Sequence, residues 1–405
     1  MTYPSPDAAY IHLPFCLRKC GYCDFVSFSG EERRIEAYIK ALQTEISRVL
    51  KATAESPRRE KGGLRPLRSV YFGGGTPNVV PANYLIAILN GLKQYPGVTE
   101  DAEITVEANP AAACDEWLKQ LRMAGFNRLS IGLQAAQPKL LRFLGRLHSC
   151  EEFVRFVRAA KSWGWSDISG DIMLGLPDQS VADVLETLDV MLNEGVPHIS
   201  FYSLIIEPDT PFWTLFASPA GQKMLPDDET ERALYHAAAR HLERHGLRQY
   251  EISNAAQPGF ESRHNLTYWN AASYYGFGCG AHSYIDGVRY SNTNDLLRYL
   301  DYYIDRGLSK DETREGEIER SIDRVVEEII DRREAMKEFF LLGLRIRTGV
   351  GRAEFQERFG VPVPPDLGAE LRRLCAAGLL EHQADRYFLT DLGMDLANQV
   401  FMSFI

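Results

Sequence analysis

Short apolar runs alternate with amphipathic stretches from residue 8 to about residue 210. Runs of this kind are typical of buried strands, and the stretches between them have helical periodicity. The predicted strands are Ala9–His12, Ser69–Phe72, Glu103–Glu107, Arg128–Ile131, Asp167–Met173 and His198–Tyr202. The predicted helices lie near 31–53, 81–93, 115–124, 138–144 with 151–163, and 180–195. Strand–helix alternation over this length predicts an α/β fold with a parallel sheet.

The pattern changes in the last part of the chain. Residues 311–330 carry eight acidic and three basic side chains, and we interpret them as a linker that runs into a solvated helix face. Beyond them the sequence predicts three helices, a hairpin and a final helix capped by Thr390, namely Ala335–Ile346, Arg352–Phe359, Asp366–Ala377 and the hairpin Gly378–Leu389. This order predicts a winged-helix-like α+β module. We expect three units: a core barrel over 1–230, an extension over 231–310 and a C-terminal domain over 311–405.

Composition narrows the class of protein. The chain has 405 residues, of which 45% are hydrophobic, enough for two or three domains. Its net charge of −10 argues against a nucleic-acid-binding surface, because such surfaces are basic. The N-terminus is polar, and no apolar run approaches the roughly 20 residues that span a bilayer. We therefore expect a cytoplasmic protein without a transmembrane segment, and we interpret Glu55–Pro66 as a solvated loop.

Three cysteines near the N-terminus, Cys16, Cys20 and Cys23, have the spacing C-x3-C-x2-C. Three thiolates on one loop can hold three irons of a [4Fe–4S] cluster and leave the fourth iron open for a ligand. A structural zinc site would need a further ligand pair, and chance clustering in a loop is the remaining alternative. The total of seven cysteines is odd, which disfavours disulfides. We interpret the isolated cysteines as packing residues: Cys114, Cys150, Cys279 and Cys375.

A glycine turn follows the second predicted strand in Gly73-Gly74-Gly75-Thr76. Glycine allows positive φ and close backbone approach, so this turn can hold the polar end of a cofactor, although a plain tight turn is the alternative. Later units add carboxylate and amide acceptors and one guanidinium, which suit a ribose diol and a carboxylate: Glu107, Gln134, Arg146 and Asp171. Each alone would be an ordinary surface residue. At successive strand ends they predict one pocket, at the edge where parallel barrels place their chemistry.

These motifs resemble those of the radical S-adenosylmethionine (AdoMet) superfamily. One branch is matched closely, that of the oxygen-independent coproporphyrinogen III oxidases (HemN) and the haem chaperones (HemW), on Tyr10–Cys16, Gly73–Pro77, Arg128–Gln134 and Gly175–Pro177. The resemblance covers nearly the whole chain. It implies a partial (β/α)6 barrel and a [4Fe–4S] cluster whose open iron binds AdoMet. It also implies an AdoMet pocket shaped by the glycine turn, Glu107, Gln134, Arg146 and Asp171, with Tyr10 near the cluster.

Two features separate the two groups of this branch. The oxidases have an additional cysteine two residues after the third cluster ligand, where this chain has Phe25, which puts decarboxylation in doubt. The segment His264-Asn-Leu-Thr-Tyr268-Trp269 matches the H-N-x-x-Y-W motif of the HemW proteins, which is tied to haem binding. A histidine can supply an axial imidazole to haem iron, and the two aromatic rings offer flat apolar surface to a porphyrin. A packed structural cluster is the alternative interpretation.

The resemblance therefore implies a haem chaperone that carries the cluster, AdoMet and haem, and delivers haem to haem-dependent, respiratory proteins. It leaves open AdoMet cleavage, a homodimer and contact with a membrane. The enzyme alternative is oxidative decarboxylation of coproporphyrinogen III. A third hypothesis is a scaffold that uses the cluster only for dimerisation or redox sensing. Cys279 is interpreted as a packing substitution, with thiolate ligation of haem as the alternative.

Overall fold

The computed structural model describes residues 5–56, 63–112, 114–304 and 324–405. Residues 57–62 of the predicted loop and 311–323 of the predicted linker lie outside the described residues. The strands up to residue 292 are β1 Ala8–Leu13, β2 Phe15–Cys16, β3 Phe28–Ser29, β4 Leu67–Gly74, β5 Val98–Ala108, β6 Arg128–Gln134, β7 Asp167–Leu174, β8 His198–Ser203, β9 Arg248–Glu251, β10 Asn254–Ala256, β11 Tyr275–Phe277, β12 His282–Ile285 and β13 Val288–Asn292.

The helices up to residue 304 are α1 Ile35–Ala54, α2 Ala82–Gln94, α3 Asp115–Ala124, α4 Pro138–Leu144, α5 Cys150–Ser162, α6 Val181–Asn193, α7 Pro211–Phe216, α8 Pro219–Gln222, α9 Asp228–Arg244, α10 Arg263–Trp269 and α11 Leu296–Ile304. Three single 3-10 turns occupy Glu32–Arg34, Pro77–Val79 and Pro110–Ala112. The helices predicted between the first six main strands are all present.

The six predicted strands are confirmed as one parallel sheet in the order β1-β4-β5-β6-β7-β8. Strand β11 adds a parallel edge beside β1, while β10 and β9 continue the sheet antiparallel beyond β8. Each main strand returns to the sheet through a helical crossover, so the C-terminal ends of all six lie along one edge. The fold is the predicted partial (β/α)6 barrel.

Local sequence signals set where the outer helices begin and which face they bury. Helix α6 starts at Ser180, whose hydroxyl accepts from the Asp183 backbone N–H while the Asp183 carboxylate accepts from the Ser180 N–H. This reciprocal capping satisfies N–H groups that the first helical turn leaves free. Val184, Leu188 and Met191 then recur at helical spacing and are fully buried against the sheet. The intervening polar residues are thereby held on the outer surface.

A second unit follows with β14 Arg324–Ile329, α12 Arg332–Gly343, β15 Val350–Gly351, α13 Arg352–Phe359, α14 Pro365–Ala376, β16 Leu380–Gln383, β17 Arg386–Leu389, α15 Asp391–Asp395 and α16 Ala397–Met402. Helices α12–α14 and the three-stranded sheet β15-β17-β16 form the predicted winged-helix-like module. The module has its own aromatic core, in which the Phe340 ring stacks on those of Phe355 and Phe404. Thr390 caps α15 as predicted.

The interpretation of residues 324–330 as a solvated helix face was wrong. Residues 324–329 form β14, which pairs antiparallel with β13 in a small sheet with β12. Val325, Val326 and Ile329 are β-branched and favour extended backbone, a signal that the surrounding carboxylates obscured. The strand is largely exposed, except that Arg324 at its start reaches the buried carboxylate of Glu45. The domain boundaries at residues 230 and 310 stay predictions.

Within the described ranges, no helix has both the length and the apolar character needed to cross a bilayer.

Candidate functional site

The cysteine loop leaves β1 at the C-terminal edge of the sheet. Strands β2 and β3 pair in parallel, and the Phe28 N–H donates to the Pro14 carbonyl over 2.7 Å, which closes residues 17–27 into a loop. Cys16 is buried, while Cys20 and Cys23 are partly exposed. Burial raises the pKa of Cys16 and raises that of Cys23 to about 11. Iron ions would reverse this preference, because a bound metal holds its thiol ligands deprotonated.

The three sulfur atoms lie on one loop but do not all lie within 4.8 Å of one another. Two thiolates on one zinc ion lie at most about 4.6 Å apart, since each Zn–S bond measures about 2.3 Å. A single zinc ion would therefore require the loop to contract. Three thiolates on one loop can instead hold three irons of a [4Fe–4S] cluster. When bound, that cluster would supply one electron and an open iron for AdoMet.

The glycine turn is pressed against the cysteine loop. The Gly75 N–H donates to the Leu13 carbonyl over 2.9 Å, and the Thr76 N–H donates to the Phe15 carbonyl over 2.7 Å. The Thr76 hydroxyl lies 3.4 Å from Cys16 Sγ. A Cβ atom on Gly75 would stand 2.6 Å from the Phe15 oxygen and 3.0 Å from Cys16 Sγ, so a side chain at this position would displace Cys16.

Glu107, at the end of β5, ties the glycine turn to the barrel interior. One of its carboxylate oxygens accepts from the Gly74 N–H over 3.1 Å, and the other accepts from the Tyr71 hydroxyl over 2.8 Å. Gly74 adopts φ +116°, which favours glycine. Burial raises the pKa of Glu107 to about 7. Tyr71 was not assigned from the sequence, because its partner lies on the neighbouring strand.

Gln134 and Arg146 meet above Gly132. A Cβ atom on Gly132 would lie 2.7 Å from Gln134 Nε2 and 3.0 Å from Arg146 Nη2, so the missing side chain makes room for both. Arg146 lies in the loop after α4 rather than at a strand end, and its Nη2 donates back to the Gly132 carbonyl over 2.7 Å. Its Nη1 lies 4.0 Å from Cys20 Sγ. Among the described residues its buried Nε has no hydrogen-bond partner, so a ligand acceptor would satisfy it.

Asp171 lies in the middle of β7, also short of the strand end where the sequence placed it. Burial raises its pKa, and its Oδ1 lies 3.5 Å from the Ser130 hydroxyl. The Gln134 side-chain carbonyl accepts from the Tyr202 hydroxyl over 3.1 Å. These contacts bring the side chains of β6, β7 and β8 into one polar group on the inner face of the sheet. A ligand with hydroxyl and charged groups suits that surface.

Tyr10 supports the cysteine loop through His12. The His12 Nε2–H donates to the Val26 carbonyl over 2.7 Å, because a carbonyl only accepts. His12 Nδ1 is then the acceptor for the Tyr10 hydroxyl, 3.0 Å away. Burial lowers the pKa of His12 to about 4, which keeps the ring neutral as this pattern requires. His12 was within the quoted N-terminal motif but received no role from the sequence.

The H-N-x-x-Y-W segment forms α10, which is anchored at the other end of the same strands. The carboxylate of Glu103 on β5 accepts from the backbone N–H groups of Arg263 and His264, over 2.8 and 3.1 Å. A carboxylate at a helix N-terminus is favoured by the free N–H groups and the helix dipole. The positively charged Arg128 side chain lies 3.9 Å from the Glu103 carboxylate and offsets its buried negative charge. The sequence did not indicate this anchor.

His264 is enclosed. It is 1% exposed, stacks on Tyr71 with ring centroids 5.1 Å apart, and uses both ring nitrogens. Nδ1 lies 3.0 Å from the Ser69 hydroxyl and Nε2 lies 2.9 Å from the Tyr268 hydroxyl. Burial lowers the pKa of His264 to about 3, so the ring is neutral and has one nitrogen lone pair. Ligation of haem iron through Nε2 therefore requires the Tyr268 hydroxyl to move away.

Trp269 lies on the accessible side of α10. Together with Leu266, Phe339 and Arg358 it lines a cleft of about 620 Å³ between α10 and the C-terminal module. The Arg345 guanidinium lies 4.3 Å from the Trp269 ring centre and covers one of its faces. The buried indole N–H has no partner among the described residues. Trp269 thus offers one ring face and an unused donor beside a cleft of small-molecule size.

Cys279 lies away from α10 and packs in the core. It is fully buried, and its Sγ contacts the Thr293 carbonyl at 3.2 Å. Burial raises the pKa of Cys279 to about 12, which disfavours a thiolate. Phe25, two residues after Cys23 in the cysteine loop, is by contrast 62% exposed.

Comparison with known proteins agrees with this geometry. The Radical SAM superfamily model matches residues 10–191, and the HemN C-terminal domain model matches residues 330–396. The solved coproporphyrinogen III oxidase HemN of Escherichia coli superimposes with a TM-score of 0.78 over 99% of this chain and 90% of its own, at 20% identity. That likeness establishes the fold. The parallel barrel, the cysteine loop and the glycine turn are those of a radical SAM protein.

Full-length similarity narrows the assignment. The chain is 34% identical over 399 residues to the heme chaperone HemW of Bacillus subtilis, covering 98% of this chain and 99% of that protein. It is 31% identical over 405 residues to the heme chaperone HemW of Escherichia coli, covering 99% and 98%. The chain belongs to the HemW family.

The close packing around Gly75 predicts that one added methyl group at this position affects cluster assembly. Gly75→Ala should disturb the position of Cys16 and lower the iron content after anaerobic reconstitution, because overpacking of this kind costs about 1–3 kcal/mol. Gly91→Ala is the matched control, since a Cβ there meets no neighbouring atom. Iron and sulfide analysis should show a full cluster in the control. Equal cluster content in the two variants would contradict the argument.

The raised pKa of Glu107 predicts pH-dependent AdoMet binding. Below about pH 7 the carboxyl is protonated and neutral, and above it the carboxylate attracts the positively charged sulfonium and ammonium groups of AdoMet. Affinity should therefore rise between pH 6 and 8, by up to about tenfold for one coupled proton. Glu107→Gln cannot ionise and should bind more weakly with a flat profile. Equilibrium binding to the reconstituted protein tests this, and a rising profile in the variant would assign the dependence to another group.

Proposed function

We propose that this protein is a haem chaperone that carries a [4Fe–4S] cluster and AdoMet and passes haem to haem-requiring proteins. The observation that carries the proposal is the full-length similarity to proteins named as heme chaperones, at 34 and 31% identity. Trp269 at the end of the aromatic motif supports it, because this residue lines a cleft of small-molecule size, whereas His264 is enclosed. The haem acceptor is the partner that such a role requires.

We further propose that Cys16, Cys20 and Cys23 hold the cluster, and that the AdoMet pocket is formed around it. Arg146 would pair with the AdoMet carboxylate through the Nε that is unused among the described residues. The Glu107 and Asp171 carboxylates would accept hydrogen bonds from the ammonium and hydroxyl groups of AdoMet. The Gln134 side-chain carbonyl could accept from an ammonium or a hydroxyl group. Burial of these side chains excludes water and strengthens their hydrogen bonds. Tyr10 acts through His12 and keeps the loop in place.

Haem would bind at α10, toward the other end of β4 from the glycine turn. Ser69 contacts His264, whereas Gly74, five residues later on the same strand and roughly 16 Å away, lies beside Glu107. Tyr71 lies between the two sites, since its ring stacks on His264 and its hydroxyl donates to Glu107. Trp269 and the cleft would receive the porphyrin first. Release of the Tyr268 hydroxyl would then free the His264 lone pair for the iron, so that the histidine contact is conditional and reversible.

This mechanism predicts opposite effects for two neighbouring substitutions. His264→Gln removes the imidazole while keeping polar atoms near Ser69 and Tyr268, and should weaken haem binding by about 10-fold or more and shift the visible spectrum. Tyr268→Phe removes the competing hydrogen bond, worth about 0.5–1.5 kcal/mol, and should tighten haem binding by roughly two- to tenfold. Haem titration followed by visible absorption measures both.

Protein without bound haem should give unchanged circular dichroism in both variants, which controls for folding. An unaltered haem spectrum in His264→Gln would overturn the assignment of that residue. Failure of the unsubstituted protein to bind haem would overturn the proposed function itself.

The enzyme alternative makes a separate prediction. Phe25 presents an exposed apolar ring where the oxidases have a cysteine, so this chain lacks the additional thiol beside the cluster. Reconstituted protein supplied with AdoMet, a reductant and coproporphyrinogen III should form no protoporphyrinogen IX, with the HemN oxidase as the positive control. Product formation at a comparable rate would make this protein an oxidative decarboxylase. AdoMet cleavage products in the same samples would report whether AdoMet is consumed without that substrate.

A further inference from the structure

Helices α6 and α9 together present a group of possible metal ligands that lies apart from the cysteine loop and α10. Asp189 lies on α6, His241 lies in the last turn of α9, and His245 caps the C-terminal end of α9. One ligand atom from each residue lies within 4.8 Å of the other two, the only such group in the described ranges. His241 Nε2 is 2.7 Å from Asp189 Oδ1, and the two imidazole rings have centroids 4.5 Å apart.

Core packing fixes these side chains at the surface. Leu188 and Leu242 are fully buried, and the residues beside them, Asp189 and His241, face outward where α6 and α9 pack together. The two histidines are four residues apart, which places them on one side of a helix. The Asp189 side chain is 50% exposed and that of His241 is 15% exposed, so an ion has access from solvent.

The hydrogen bonds leave a nitrogen lone pair in place. His245 Nδ1 lies 2.8 Å from the His241 carbonyl, which only accepts, so this nitrogen carries the proton. The lone pair of His245 is therefore on Nε2, and a hydrogen bond from the other ring nitrogen to a carbonyl is the usual support for a metal-binding histidine. His241 Nε2 donates to Asp189 Oδ1 over 2.7 Å, so a metal ion would displace the proton shared by these two ligand atoms.

We propose that Asp189, His241 and His245 form a binding site for a divalent transition-metal ion, with Zn²⁺ as the best match. Two imidazole nitrogens and one carboxylate oxygen are a zinc ligand set, and water would complete the tetrahedron. Calcium and magnesium are disfavoured because they take oxygen ligands. The site fastens α6 to α9 and is independent of haem and AdoMet.

The position separates this site from the cluster. Helix α6 begins after the C-terminal end of β7 and returns along the sheet, and Asp189 lies eight residues into it, about 12 Å along the axis. The ion would therefore sit toward the opposite edge of the sheet from the cysteine loop. Its ligands contain no sulfur, so zinc bound here is distinguishable from zinc bound by free cluster cysteines.

The test is zinc binding to the full chain with its cluster reconstituted, so that the cluster thiolates are occupied. Equilibrium dialysis with metal analysis should find one zinc per chain in addition to the iron. His245→Ala and Asp189→Asn should weaken zinc binding by about tenfold or more. Zinc should also raise the thermal unfolding midpoint of the unsubstituted protein, because a ligand that binds the native state stabilises it, and should not do so for His245→Ala.

His236→Ala is the matched control on the same helix. His236 Nε2 lies 2.6 Å from Asp395 Oδ1, a pair of the same type with no third metal ligand beside it in the described part of the chain. This variant should bind zinc as the unsubstituted protein does. Absence of zinc binding at molar excess, or equal binding by His245→Ala, would overturn the proposal. Neither outcome bears on haem binding, so the two proposals fail separately.

Discussion

The structure of the site depends on the close approach of one turn to one loop. The backbone after β4 lies against the backbone after β1, and the Gly75 and Thr76 N–H groups donate to the Leu13 and Phe15 carbonyls, just before the cysteine loop. This approach is possible because Gly75 has no side chain, whose first atom would stand 2.6 Å from the Phe15 oxygen. The position of Cys16 and the hydrogen bond between Gly74 and Glu107 both follow from that contact. A backbone constraint thus sets the position of the three cysteines relative to the glycine turn and Glu107.

The inner face of the sheet is polar for most of its length. Arg128 is 2% exposed and lies 3.9 Å from Glu103 and 3.5 Å from Asp167, while Tyr71 and Glu107 continue the polar surface toward the glycine turn. Buried charges are stabilising only when they are paired and hydrogen-bonded, and a hydrophobic interior would serve folding as well. The polar side chains inside the barrel therefore suit the binding of a polar ligand, because the stability of the fold does not require them. The apolar packing that stabilises the barrel lies between the sheet and the outer helices.

Sequence periodicity and residue spacing predicted the elements that depend on interactions between residues close together in the chain. Strand–helix alternation predicted the six parallel strands, whereas the assignment of the three cysteines as cluster ligands stays a prediction. Contacts between distant segments could not be predicted in this way. The enclosure of His264 depends on Ser69, which is 195 residues earlier. Arg146 reaches the site only because the loop after α4 folds back over Gly132. Strand β14 escaped prediction because its carboxylates masked three β-branched residues, and its pairing with β13 is a tertiary contact.

Strand β5 carries both Glu103 and Glu107. Side chains alternate along a strand, so the two carboxylates stand on the same face, about 13 Å apart. Glu103 holds the first N–H groups of α10, and Glu107 holds the glycine turn. Strand β5 is hydrogen-bonded to β4 on one side and β6 on the other, with Glu103 in its middle and Glu107 near its C-terminal end. Because Glu103 holds α10 and Glu107 holds the glycine turn, the single strand β5 fixes the separation between α10 and the glycine turn.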